Sequence, residues 1–193
     1  SSPSKDAGHW SKMGGGTLLR IGCHPLSAIL YLKEIEATAK KTNISIKSVA
    51  ADTGRIASAL PKEQKKYIKG NPIDVEDIAV LTVTFSDNSK ALVVSNDNVL
   101  DSITTRVNVY TTESILVCNA VPQDTMSTYF VSDAGLDDVY IAESLPTKLG
   151  WNSVSVGESV IRGYVDQLRD FFGCIVNDTE PLSNFDIASK TTE

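Results

Sequence analysis

The residues of this chain able to do chemistry lie mostly in one short polar stripe. Arg20, His24, Ser27 and Tyr31 recur at i, i+4, i+7 and i+11, a rhythm that places all four on one face of a helix. The stripe holds one group that exchanges protons near neutral pH, an imidazole, and one planar cation suited to a carboxylate or phosphate. Spacing alone says no more than that, and a histidine in an apolar helix more often serves as a satisfied core residue than as a catalyst. Cys23 adjoins His24, but neighbours along a helix point about 100° apart, which argues against a Cys–His dyad.

Other chemistries find little support. Two histidines and three widely spaced cysteines, Cys23, Cys118 and Cys174, form neither a metal-ligand cluster nor a disulfide framework, so no metal is expected and a reducing cytoplasm is. No G-x-G-x-x-G follows a strand and opens a helix, since Gly14-Gly15-Gly16 follows a polar loop. P-loop, H-E-x-x-H and G-x-S-x-G patterns are also missing from the sequence. Net charge is −6, and the densest basic run, Lys62 to Lys69, is interrupted by Glu63, Gln64, Tyr67 and Ile68, so nucleic acid is not an expected partner. No apolar run approaches the ~20 residues of a membrane span, and no signal peptide is visible. The opening Ser1-Ser2-Pro3 lacks a methionine and suggests a processed or excised product.

The elements that would carry the stripe follow from periodicity. A polar, Gly-rich lead-in over 1–16 precedes a helix from about Thr17 to Lys40, with a kink or break expected at Pro25. Strands are expected at Ile44 to Val49, Asp77 to Phe85, Ala91 to Ser95, Arg106 to Tyr110, Ser114 to Asn119, Thr128 to Ser132 and Asp138 to Ala142. Asp87-Asn88-Ser89 reads as a hairpin turn, and a short helix fits Lys62 to Ile68. A second amphipathic helix, Val156 to Val176, offers Ile161, Tyr164, Val165, Leu168, Phe171, Phe172 and Ile175 as a core face, and Phe185 onward starts a short last helix. The fold class is α+β: an open, predominantly antiparallel or mixed sheet of roughly six strands, with helices on one face. Both faces of the strand around 78–85 are apolar, so the other face is available to a second subunit or domain.

His9-Trp10, followed by Gly14-Gly15-Gly16-Thr17-Leu18-Leu19-Arg20-Ile21-Gly22-Cys23-His24-Pro25, resembles the segment that opens the C-terminal domain of the Gfo/Idh/MocA oxidoreductases, the glucose-fructose oxidoreductase and inositol dehydrogenase family. That segment has three glycines, apolar positions, an Asp, then Gly-x-His. Glu76-Asp77-Ile78-Ala79 with the hairpin to Val94 is similar to the family's first long hairpin, and Val107 to Val117, with Thr112-Glu113-Ser114 at the turn, to its next strand pair. Gly163-Tyr164 to Phe171-Phe172, Glu180-Pro181-Leu182 and Asp186-Ile187-Ala188 resemble its closing helix and tail.

The resemblance implies that residues 1–193 form a single C-terminal domain for substrate binding and oligomerisation, with the last helix cut short. NAD or NADP would be bound by an N-terminal Rossmann domain, and the chain alone would be inactive. The substrate would be a small molecule, a sugar, polyol or sugar acid, oxidised or reduced by hydride exchange. His24 matches the catalytic histidine. Trp10 and Lys12 are substrate-side candidates by position. Arg20 stands where the family has an Asp; it presents a cation to His24, and the expectation is that it grips an anionic substrate group, with a buried or interface ion pair as the competing role. The sheet face implies a homodimer or tetramer. The rival reading is a non-catalytic, sheet-mediated oligomerisation domain.

Overall fold

The computed structural model describes residues 6–68, 71–99, 104–120, 125–140 and 147–193. Positions 1–5 of the lead-in loop and 141–142 of an expected strand lie outside them. In chain order the elements are α1 (Trp10–Met13), a π-helical turn (Leu18–Gly22), α2 (Cys23–Ala39), β1 (Ile46–Gly54), α3 (Ile56–Ala59), β2 (Ile78–Phe85), β3 (Lys90–Asn96), β4 (Arg106–Tyr110), β5 (Ser114–Asn119), β6 (Met126–Phe130), β7 (Gly150–Val154), α4 (Glu158–Arg162), α5 (Tyr164–Asn177) and α6 (Phe185–Thr192). They fall into two compact units, Ser1–Ser102 with Ser183–Glu193, and Ile103–Leu182. The class is the expected one, α+β with open antiparallel sheets. The strands hydrogen-bond as a three-stranded sheet β1-β2-β3 and a four-stranded sheet β4-β5-β6-β7 among the described residues, where the sequence suggested about six strands in one sheet.

In the first unit β2 is the central strand, and its alternation decides the packing. Ala79, Leu81, Val83 and Phe85 are buried, while Val80 between them is exposed. Antiparallel pairing sets Leu81 opposite Ala51 on β1 and Val93 on β3. Ala79, Leu81 and Val93 form the core, and Leu18 and Ile29 press on it from the helical side. The β2–β3 turn is the one expected: Asn88 adopts φ +66°, and Phe85 N–H donates to Ser89 O at 3.0 Å. On the opposite face Leu92 and Val94 are 66% and 56% exposed.

The first helix runs through Pro25 without interruption, contrary to expectation. Its irregularity falls earlier, in the π turn Leu18–Gly22. Proline lacks an N–H and crowds the carbonyl four residues back, here Ile21, and a widened turn at that point relieves both demands. Lys33 ties the far half of α2 to the hairpin. Its ammonium donates to Glu36 Oε2 at 2.5 Å and to Asp87 Oδ2 at 2.9 Å, and lies 5.1 Å from the centre of the Phe85 ring. Burial acts to lower the Lys33 pKa, yet the two carboxylates outweigh it and hold the ammonium above its usual value.

The second unit is a meander. β5 lies between β4 and β6, and β7 closes the sheet by pairing Tyr129 with Trp151, whose rings stand 5.4 Å apart. The expected strand at Asp138 is absent from 138–140; successive turns there hydrogen-bond Leu136 N to Asp133 O and Val139 N to Leu136 O, next to Gly135 at φ +80°. β7 had little sequence signal, because Gly150, Asn152 and Ser153 are weak strand formers that pair when β6 supplies a partner. The helix expected over 156–176 is two, broken at Gly163 with φ +67°. Tyr164, Phe171 and Phe172 are corrected from core to surface: each is more than half exposed. Periodicity shows that a helix face is apolar but not which element will cover it.

Candidate functional site

The stripe is delivered to the sheet by the glycine run. α1 ends at Gly14 with φ +72°, and Gly15 and Gly16 are buried. A Cβ on Gly16 would lie 2.0 Å from Glu76 O, so only glycine fits. The backbone groups at this helix start are then satisfied by one acid just ahead of β2. Gly16 N–H donates to both Glu76 carboxylate oxygens at 3.1 Å, Leu18 N–H to Oε1 at 3.0 Å, and Thr17 N–H to Glu76 O at 3.0 Å. An anion at a helix N-terminus satisfies donors that lack an intrahelical partner.

β3 provides the floor. Its inward positions alternate as Val93, Ser95 and, just past the strand, Asp97. Val93 is core. Ser95 donates to Thr17 O at 3.0 Å, so the 2.8 Å contact between the two hydroxyls has Thr17 as donor. Gly22 lies directly over Ser95, where a Cβ would come within 3.4 Å of the serine Cβ and 2.9 Å of Leu18 Cδ1. Asp97 receives an ion pair from Arg20 Nη2. Their side chains are 23% and 20% exposed, and the Arg20 Nε is buried with no hydrogen-bond partner among the described residues.

The four stripe residues do not converge on one point. Arg20 turns down to Asp97, and Ser27 shares a 3.0 Å hydrogen bond with Thr191 of α6. His24 and Tyr31 face outward. The His24 ring has no hydrogen-bond partner among the described residues. Trp10 and Lys12 are exposed on α1, whose first N–H is held by Asp74 Oδ1 at 2.6 Å. No hydrogen bond or ion pair links them to Arg20 or His24 among the described residues.

Sequence reasoning passed over Glu76, Asp77 and Asp97. Asp77 is buried and accepts from Ile56 N at 2.8 Å and Ala57 N at 2.7 Å, starting α3. Two adjacent acids before a strand, with a helix start upstream that has no capping side chain of its own, were the available signal. Asp97 had a weaker one, its inward phase after Val93 and Ser95.

The glycine turn is filled by the protein itself. Gly14 N–H donates to Trp10 O, and the N–H groups of Gly16, Thr17 and Leu18 are taken by Glu76, whose carboxylate stands where an outside anion would meet this helix start. Among the described residues no three His, Cys, Asp or Glu side chains are grouped to hold a metal ion, and no helix is long and apolar enough to cross a membrane.

Several solved structures share this fold. It is similar to levoglucosan dehydrogenase in complex with NADH at 16% identity and TM-score 0.65, covering 98% of this chain and 49% of that one. It is similar to an NAD binding oxidoreductase from Klebsiella pneumoniae at 17% identity and TM-score 0.67, covering 98% and 49%. UDP-N-acetylglucosamine 3-dehydrogenase GnnA from Acidithiobacillus ferrooxidans matches at 11% identity and TM-score 0.60, covering 91% and 43%. The chain thus spans about half the length of these structures, and at such identities the likeness is one of fold. No curated protein matches in sequence. The sequence model of the GFO/IDH/MocA C-terminal domain matches residues 1–117, more than half of the chain and all of the glycine turn, stripe and hairpin just described. The chain therefore belongs to the GFO/IDH/MocA C-terminal domain family.

Proposed function

We propose that this chain is the substrate-side domain of an NAD(P)-dependent oxidoreductase acting on a secondary alcohol, or the matching carbonyl, of a sugar or polyol, with all 193 residues serving as that one domain. The observation that carries the reading is His24: an outward-facing imidazole whose ring has no hydrogen-bond partner among the described residues, about two turns beyond the glycine run of the matched segment. Oxidation of a secondary alcohol requires the hydroxyl proton to leave as the carbon loses its hydride. A general base within hydrogen-bond reach of the hydroxyl does this, and imidazole is the usual group. His24 takes that proton. The remaining N–H groups of Arg20, the Lys12 ammonium and the Trp10 ring contact the rest of the substrate. Nicotinamide, as NAD or NADP, supplies the hydride acceptor or donor from an N-terminal dinucleotide-binding domain, because the glycine turn of this chain is already filled by Glu76.

The exposed sheet face with Val80, Leu92 and Val94 joins a second copy, giving a homodimer or tetramer. Three free thiols fit a reducing cytoplasm. The second reading, a non-catalytic assembly domain, draws on the same sheet face and makes His24 dispensable. The test is the full-length protein with NAD or NADP and a panel of sugars and polyols. His24→Gln is expected to lower kcat/KM by roughly 10²–10⁴ without loss of folding. Unchanged turnover in that variant rejects His24 as the base, and an absence of turnover in the wild type favours the assembly domain.

A further inference from the structure

The Arg20–Asp97 pair bears on which substrates the site accepts. At the sequence level Arg20 is a candidate anion clamp. In the fold it already has an anion, a carboxylate of the same chain that is four-fifths buried. A substrate carboxylate or phosphate reaching for Arg20 meets a pair with no net charge, and Asp97 beside it repels the newcomer. To form a bidentate bond Arg20 would have to release Asp97, which would leave a largely buried carboxylate without its counter-charge, a costly arrangement. A neutral hydroxyl meets no such obstacle, since it accepts from a guanidinium N–H that Asp97 does not use.

The backbone around the pair is fixed as well. Asp97 N–H donates to Asp77 O at 2.8 Å, and Arg20 N–H to Gly16 O at 3.1 Å. Asp77 and Glu76 are themselves held by the helix starts they cap, so neither competes for Arg20. Thr17, Ser95 and Gly22 lock the helix to the strand between the two partners.

We propose that Asp97 is a specificity-determining, positioning residue: by holding Arg20 it makes the His24 face select neutral, hydroxyl-bearing substrates over anionic ones. This rests on the reading of that face as the substrate site.

Two measurements on the full-length protein test it. The first needs no turnover. Phenylglyoxal modifies accessible guanidinium groups, and mass spectrometry resolves Arg20 from the exposed Arg106. Arg20 is expected to react about tenfold more slowly than Arg106 in the wild type, to approach it in Asp97→Asn, and to stay protected in Asp97→Glu, as a held ion pair requires. Equal reaction of Arg20 in wild type and Asp97→Asn overturns the proposal. The second measurement compares kcat and KM for glucitol and gluconate, or for whichever neutral polyol and matching acid the enzyme turns over. Wild type is expected to favour the neutral member. Asp97→Asn should lower the ratio of KM for the acid to KM for the neutral substrate roughly tenfold, a difference of one charged contact, and Arg20→Ala in that background should abolish the gain. Asp97→Glu should restore wild-type preference, which a merely structural role of Asp97 would not predict. A wild type that prefers the acid and loses that preference in Arg20→Ala overturns the proposal. Turnover of neither class rejects the functional reading, and the selectivity role with it, while the labelling still reports whether Asp97 holds Arg20.

Discussion

The Glu76 carboxylate grips the Gly16 N–H with both of its oxygens, each at 3.1 Å, across sixty residues of chain. That contact joins the start of the helix bearing Arg20 and His24 to the start of the central strand. It also explains the glycine, because a Cβ at position 16 would collide with the Glu76 backbone oxygen at 2.0 Å.

Gly16→Ala should therefore destabilise the first unit by about 3 kcal/mol or more, since the blocking atom is backbone and cannot rotate away. Glu76→Gln keeps the shape but removes the charge at a helix N-terminus, and should cost about 1–3 kcal/mol. Urea unfolding followed by circular dichroism measures both. Glu76→Gln and Glu76→Ala both indistinguishable from wild type would show that the cap is dispensable.

The Lys33 cluster should make stability depend on pH at both ends of the scale. Hydrogen bonds from Lys33 and Lys40 hold Glu36 below its usual pKa, and those from Ser89, then Lys33, hold Asp87 well below the carboxylate range. A depressed carboxylate stabilises the fold above its unfolded pKa and loses that contribution as pH falls through the folded value. Lys33, whose pKa is raised, contributes below its unfolded pKa and loses that contribution as pH rises through the folded one. All three groups are solvent-accessible to some degree, so the effects are small and weaken with salt. Lys33→Met should show a shallower fall in Tm between about pH 6 and pH 3 than wild type at low ionic strength. A steeper fall would contradict the pairing.

Leu92→Asp and Val94→Asp place charges on the exposed face of the first sheet without touching its core. If that face joins two copies, sedimentation velocity should show either variant shifted to smaller species, with the unfolding of the monomer little altered. Identical sedimentation of wild type and both variants over a wide concentration range would move the interface elsewhere.

The chain by itself should not bind NADH, since the Gly16 and Leu18 N–H groups at its helix start already face the Glu76 carboxylate. Fluorescence or calorimetric titration of the 193-residue chain measures this, and a Kd tighter than about 100 μM would overturn it.

Much of this was legible in the residues alone. Alternation over Ile78–Phe85 set Ala79, Leu81, Val83 and Phe85 on one face of a strand, because a pleated strand sends successive side chains to opposite sides, and the packing made that face the buried one. Asp87-Asn88-Ser89 announced the hairpin turn, and the glycine run with Gly-x-His announced the family segment that the match over 1–117 covers. Such signals are local: they need a few consecutive residues and one repeat period. What only the tertiary structure decided is who meets whom across long stretches of chain. Arg20 could have faced a substrate or another side chain until β3 carried Asp97 beneath it, and nothing near Gly16 in the sequence foretold that Glu76 would take its N–H. The face of α5 read as core because amphipathic spacing records a need for burial, yet Phe171 and Phe172 stand exposed. Charge pairing and burial depend on distances in space, and residues 77 positions apart, as Arg20 and Asp97 are, leave no periodic trace of such a distance in the sequence.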